Sequence, residues 1–220
     1  MNELNQAVAH LDPCPDAVSW LETQDSQQGA WENCERGDWM LTIFKDTSNE
    51  CKWRDDRKQL VLCVCECARL ALPYASDVLP LRCIETTEAW ARGEMDHKYV
   101  ESARLATIAK QDCRWLGTIS TAECTMECAA AAARTAEFSD WAPDVAGWVG
   151  AAAAQAASKA AWNPESPMLS QALSVSAVMK SAIHDVLRQC AGIVRKYFPD
   201  PPTLKELRSC KRQSERHTKN

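Results

Sequence analysis

The chain has 220 residues, of which 46% are hydrophobic and 25% charged, with only 7 glycines. This composition excludes a disordered, collagen-like or low-complexity protein. The formal net charge is −5, and residues 1–56 hold twelve acidic and four basic residues, which gives 4 − 12 = −8. Such an acidic segment repels phosphates, so the sequence argues against a nucleic-acid partner and favours a basic protein partner.

Targeting and membrane signals are missing from the pattern. The first residues, MNELNQAVAHLDPCPD, show neither a basic region nor an apolar core of the kind that a secretory signal needs. The most apolar stretch, 148–162, is shorter than the ~20 residues of a membrane span and contains Gln155 and Lys159. We therefore expect a cytoplasmic protein without a membrane partner.

Helix signals recur along the chain, whereas the period-two alternation of strands is nearly absent. The sequence predicts an all-α fold, a multi-helix bundle with short N-terminal helices followed by long Ala-rich helices. Residues 1–27 are interpreted as an N-terminal helical extension, 28–202 as the main domain, and 203–220 as a basic, mobile C-terminal tail.

The N-terminal helices are predicted from their end signals. An amphipathic segment covers about 3–11, and Pro15 fits the first position of the next helix. Over 30–46 we expect two short helices, with Gly37 ending the first and Asp38 serving as the N-cap of the second, worth about 1 kcal/mol.

Two central helices follow. Asp55 or Asp56 is expected to cap a helix that continues to Leu72, where Pro73 stops it. Asp77 is then expected to open a helix that runs to Arg92.

The later helices are longer. Gly93 stands where a left-handed C-cap is needed, and Asp96 is expected to cap one continuous helical stretch up to Pro143. A second Ala-rich helix is predicted over 144–162. The dipeptide Ser166-Pro167 predicts the start of a last helix that ends near Phe198.

Twelve cysteines are present, and three of them alternate in the apolar run LVLCVCECARL, residues 60–70. In a helix Cys63 and Cys67 share a face while Cys65 points nearly opposite, so these three cannot bind one metal ion. We expect reduced thiols that fill the core. The alternative is a four-thiolate zinc site made by two i, i+4 pairs on facing helices, Cys63 and Cys67 with Cys124 and Cys128.

Catalytic motifs are not visible. A Gly-rich phosphate loop, a Gly-x-Ser-x-Gly elbow and a His-Glu-x-x-His helix are all missing from the sequence. We therefore expect no enzyme, no cofactor and no metal. An alternative is a metal-dependent helical phosphohydrolase, whose His-Asp ligand pairs the dipeptide His184-Asp185 resembles; His97 is the only plausible further histidine ligand.

Nine tryptophans are many for a chain of this size. Trp20, Trp90 and Trp115 lie in apolar helical patterns and are expected in the core, whereas Trp53 lies among charges in NECKWRDDR and is expected to be an exposed contact.

Several segments stand in a distinctive order and spacing. They are AWENCERGDWML (30–41), RKQLVLCVCECARLALP (57–73), LPLRCIETTEAWARGE (79–94) and GIVRKYFP (192–199). In them the chain resembles a predicted immunity-protein family of bacterial polymorphic toxin systems, the fifth in the numbered series, which has relatives in phages. The matching positions are Gly37, Asp38, Trp39, Cys67, Ala68, Arg69, Ile84, Glu88, Trp90 and Gly93.

The resemblance implies a non-catalytic protein that neutralises a cognate toxin, for example a nuclease, by direct protein–protein interaction. Arg69 and Glu88 are expected to form a polar pair that fixes how the central helices meet. The acidic region and the family motifs together predict the following partner-binding residues: Glu32, Glu35, Asp38, Trp39, Trp53, Asp55, Asp56 and Arg69. An alternative is a phage anti-defence protein that binds a host immune effector, and the oligomeric state stays open.

Overall fold

A computed structural model of the chain describes residues 3–44, 57–110, 120–163, 165, 167–203 and 207. All regular structure within these ranges is helical and none of it is strand, which confirms the predicted all-α class. Ten α-helices are present there: α1 (Glu3–Val8), α2 (Pro15–Glu22), α3 (Gln27–Asn33), α4 (Gly37–Thr42), α5 (Arg57–Arg69), α6 (Leu79–Ala91), α7 (His97–Ala109), α8 (Thr121–Thr135), α9 (Ala142–Ala161) and α10 (Met168–Tyr197).

The short N-terminal helices follow their local end signals. Pro15 occupies the first position of α2, as predicted. Ser26 caps α3, and its hydroxyl accepts a hydrogen bond from the backbone N–H of Gly29. The side-chain amide of Asn5 donates to the carbonyl of Val18 at 3.2 Å and so joins α1 to α2.

The boundary predicted at Gly37 and Asp38 is wrong. Gly37 opens α4 instead of ending a helix, Arg36 is the N-cap residue, and Asp38 lies in the first turn. Gly37 is glycine for a packing reason, because a Cβ there would lie 2.4 Å from the Cβ of Cys190 on α10. The carboxylate of Asp38 binds the guanidinium of Arg36 and does not cap the helix.

Helix α5 is the centre of the bundle and packs against α6, α8, α9 and α10. Cys63, Cys65 and Cys67 are fully buried in it, which confirms that they fill the core. The helix ends at Arg69, three residues before the predicted end, and a 3-10 turn follows at Leu72–Tyr74. The predicted caps Asp55 and Asp56 lie outside the described residues.

Capping residues mark the boundaries of the next two helices, α6 and α7. Asp77 accepts a hydrogen bond from the backbone N–H of Leu79 at 2.9 Å, close to its predicted role at the start of α6. Gly93 has φ +81°, the left-handed conformation predicted for it. Asp96 is the N-cap of α7, as predicted, and accepts from the N–H of Lys98.

The predicted continuous helix from Asp96 to Pro143 is wrong. Helix α7 ends at Ala109, and α8 begins as a separate helix at Thr121. Ser120 and Glu123 form a reciprocal capping box there, in which each side chain accepts from the other residue's backbone N–H. This local signal marks a helix start that the Ala-rich pattern concealed.

The long Ala-rich helices pack side by side. Helix α9 packs against α8 and α10, and small side chains along α8 and α9 let these helices approach closely. Helix α10 ends next to Phe198, as predicted, while Pro167 takes the N-cap position instead of the first turn; Ser166 lies outside the described residues. None of the helices in the described ranges is long and apolar enough to cross a membrane.

Tryptophan burial differs from the prediction. Trp20 and Trp90 are half-buried at the edge of the core, and the fully packed tryptophan is Trp31, which is 4% exposed. Trp115 and Trp53 lie outside the described residues.

The burial of the thiols makes a labelling experiment informative. Burial raises the pKa of Cys65 and of Cys128 well above that of a free thiol, so both stay protonated and poorly nucleophilic near neutral pH. Of the nine cysteines described, only Cys14 is exposed. We expect a thiol reagent to label Cys14 within minutes and the α5 cysteines only after unfolding. Peptide mass mapping checks this, and fast labelling of Cys65 in the folded chain would contradict it.

Candidate functional site

An ion pair and two indole rings form a compact cluster at the start of α4. The guanidinium of Arg36 binds the carboxylate of Asp38 through two hydrogen bonds, Nε to Oδ1 at 2.9 Å and Nη2 to Oδ2 at 2.6 Å. The hydrogen bond to Asp38 raises the pKa of Arg36, so the guanidinium stays charged. It lies 4.4 Å from the ring centroid of Trp39, whose ring is tilted against that of Trp20 at 5.9 Å.

This cluster forms one wall of a cavity of about 610 Å³. Residues of α1 to α4, the 3-10 turn before α9, the start of α9, and Pro201, Pro202 and Leu207 line it. Four of its lining residues are tryptophans: Trp20, Trp31, Trp39 and Trp141. Its volume lies within the roughly 300–1,000 Å³ of small-molecule sites, which are likewise mainly apolar with a few polar groups.

The polar groups of the cavity are mostly acidic. Among the described residues, Asp12, Asp38, Asp140 and Asp144 line it together with a single basic residue, Arg36, so this part of the lining carries a formal charge of 1 − 4 = −3. Arg134, outside the lining, stacks on Trp141 with its guanidinium 4.3 Å from the ring centroid. The cavity therefore combines aromatic walls with an excess of carboxylates.

The indole N–H groups of two cavity tryptophans differ in their partners. The Nε1 of Trp31 donates to the carbonyl of Phe198 at 3.0 Å. The Nε1 of Trp39 is also buried but has no acceptor among the described residues. A buried donor without an acceptor costs about 1–3 kcal/mol, so the two indoles differ in how well their N–H groups are satisfied.

Arg195 holds this wall of the cavity in place from α10. Its Nη1 donates to the backbone carbonyls of Trp31 at 3.2 Å and Cys34 at 2.7 Å, at the C-terminal end of α3. A cation there also interacts favourably with the helix dipole. No local sequence pattern indicates this role of Arg195, because its partners lie more than 160 residues earlier in the chain.

The structure brings four predicted partner-binding residues together on α3, α4 and the loop between them. Glu32 and Glu35 are exposed, whereas Asp38 and Trp39 line the cavity. Arg69 is not part of this group. It pairs with Glu88 as predicted, Nε to Oε1 at 2.7 Å and Nη2 to Oε2 at 2.8 Å, and joins α5 to α6.

Three other residues were predicted to bind the partner, Trp53, Asp55 and Asp56. They lie outside the described residues.

The residues of the enzyme alternative have other partners. The Nε2 of His184 lies 3.2 Å from a carboxylate oxygen of Glu35, Asp185 binds Arg188, and the ring of His97 packs edge-on against Trp90. Within the described ranges no three His, Cys, Asp or Glu side chains are placed to hold a metal ion. Neither the His184 set nor the four-thiolate set is assembled there.

The geometry defines a helical bundle with a tryptophan-lined, acidic cavity. The exposed carboxylates of Glu32 and Glu35 lie beside it. Comparisons with protein-family models, curated proteins and solved structures give no match to this chain. The likeness to the immunity-protein family therefore rests on the motifs quoted above.

Proposed function

We propose that the chain is a non-catalytic binding protein that neutralises a cognate toxin by direct protein–protein interaction. The observation that carries the proposal is the placement of Glu32, Glu35, Asp38 and Trp39 on one continuous part of the bundle, α3 to α4. We name this surface, defined by those four residues, the α3–α4 surface. The resemblance in sequence supplies the class of partner.

The chemistry of the α3–α4 surface suits a basic protein. Exposed carboxylates attract a partner of opposite charge and raise the rate of association. A nuclease is such a partner, because the surface that binds nucleic acid phosphates is basic. Trp39 is a residue type enriched among the side chains that dominate interface energies, and it is held in a fixed orientation by Arg36 and Trp20.

The test is co-expression of the tagged chain with the product of the neighbouring gene, followed by affinity purification and mass spectrometry. We expect one stoichiometric partner that carries a toxin domain and whose activity is lost in the complex. If the stoichiometric partner is a host defence protein, the anti-defence alternative is favoured over neutralisation of a toxin. A partner that stays fully active in the complex would contradict neutralisation.

Charge reversal on the α3–α4 surface is expected to slow association. In Glu32→Lys/Glu35→Lys we expect the association rate constant to fall about tenfold at low salt, with most of the difference lost near 0.5 M salt. Surface plasmon resonance with the purified partner measures both rates. The dissociation rate should change less, because exposed charges act mainly on encounter.

The matched control is Glu85→Lys/Glu165→Lys. Both residues are exposed and lie elsewhere, on α6 and between α9 and α10, and the change in net charge is the same. An equal fall in the association rate for the control would show that net charge alone acts and would remove the α3–α4 surface from the proposal.

A further inference from the structure

We infer that the tryptophan-lined cavity is a binding site for a small organic cation, an ammonium or guanidinium group carried on an apolar body. This inference goes beyond the proposed function and needs no protein partner. It follows from the walls of the cavity and from its charge.

The walls bind cations in the structure itself. Arg36 stacks on Trp39 and Arg134 stacks on Trp141, with guanidinium-to-centroid distances of 4.4 and 4.3 Å. Both distances lie within the ~6 Å of a cation–π contact. The two arginines occupy these ring faces, so a ligand would use the remaining indole surface of the cavity, which Trp20 and Trp31 also line. The indoles also provide apolar surface for the body of the ligand.

The charge of the cavity favours a cation over an anion. The guanidinium of Arg36 is already engaged by Asp38, so it does not neutralise Asp12 or Asp140. Asp12 and Asp140 form no ion pair within the part of the chain that the structure describes. A bound cation would lower the repulsion among these carboxylates, whereas a bound anion would increase it.

The test uses three probes of matched size: 2-phenylethylamine, 2-phenylethanol and phenylacetate. Near pH 7 they are a cation, a neutral molecule and an anion. Isothermal titration calorimetry and the intrinsic tryptophan fluorescence report binding to the full chain. We expect the amine to bind about tenfold more tightly than the alcohol, and phenylacetate to bind more weakly than both. Equal binding of amine and alcohol, tighter binding of phenylacetate, or no binding of the amine would overturn the inference.

A variant locates the binding in the cavity. We expect Asp12→Asn/Asp140→Asn to weaken amine binding about fivefold and to leave binding of the alcohol unchanged. Asparagine tolerates the left-handed φ of +51° at position 12, and residue 140 is exposed, so the fold is retained and an unchanged melting temperature verifies it. The control Glu85→Gln/Glu165→Gln removes the same charge on other surfaces and should leave both affinities unchanged. Equal weakening in both double variants, or none in the first, would overturn the assignment.

Because this experiment contains no protein partner, its failure leaves the proposed neutralisation untouched. Failure of the co-expression test likewise leaves the cavity assignment standing.

Discussion

Replacement of Gly37 with alanine is expected to lower the free energy of unfolding by about 3 kcal/mol, at the upper end of the cost of overpacking a core. The new Cβ would lie 2.4 Å from the Cβ of Cys190, 2.8 Å from the backbone nitrogen of Ala191 and 2.9 Å from the backbone carbon of Cys190. Two of these atoms belong to the backbone of α10. They cannot rotate away, so α4 and α10 must move apart and lose contacts on both sides.

A second glycine provides the control. Gly147 lies exposed in the middle of α9, and a Cβ added there meets no atom within 4 Å. Gly147→Ala should therefore raise the stability by about 0.5–1 kcal/mol, the ordinary gain from replacing a helical glycine. Urea unfolding followed by tryptophan fluorescence measures the free energy of unfolding of both variants. Equal free energies for Gly37→Ala and the unchanged chain would show that α4 does not pack on α10 as described.

Replacement of Arg195 with methionine is expected to lower the free energy of unfolding by about 2–4 kcal/mol. The substitution keeps an unbranched side chain but removes the N–H donor shared by the carbonyls of Trp31 and Cys34. Each buried acceptor left without a partner costs about 1–3 kcal/mol. Since Trp31 lines the cavity, the same variant should also weaken binding of the amine probe at temperatures where it is still folded.

The control for this variant lies two turns earlier on the same helix. Arg188 is exposed and pairs with Asp185, three residues away on α10, so Arg188→Met should change the stability by less than about 0.5 kcal/mol. Thermal unfolding of the two variants in parallel measures the difference. If both lose the same stability, Arg195 does not hold α3 through its hydrogen bonds.

The candidate site was only partly predictable. Asp38 and Trp39 were identified from a motif, and both lie at the cavity, but the predicted capping role of Asp38 was wrong because Arg36 binds its carboxylate. The cavity itself was not predicted. Its walls come from α1 to α4, from the start of α9 and from residues after α10, and no pattern within one segment indicates that these meet.

The sequence by itself determined the features that depend on neighbours within about one helical turn. These are the all-α class, the caps at Asp96 and Gly93, the helix start at Pro15 and the burial of the α5 cysteines. Hydrophobic periodicity and capping act over three or four residues, so they can be read along the chain.

Only the tertiary structure decided which distant groups meet. Three features join residues more than 90 positions apart. Gly37 packs against Cys190, Arg195 donates hydrogen bonds to the end of α3, and the cavity lies between the N-terminal helices and α9. Such contacts form because packing the apolar faces of whole helices removes them from water, and that packing fixes side-chain neighbours that no local sequence signal specifies.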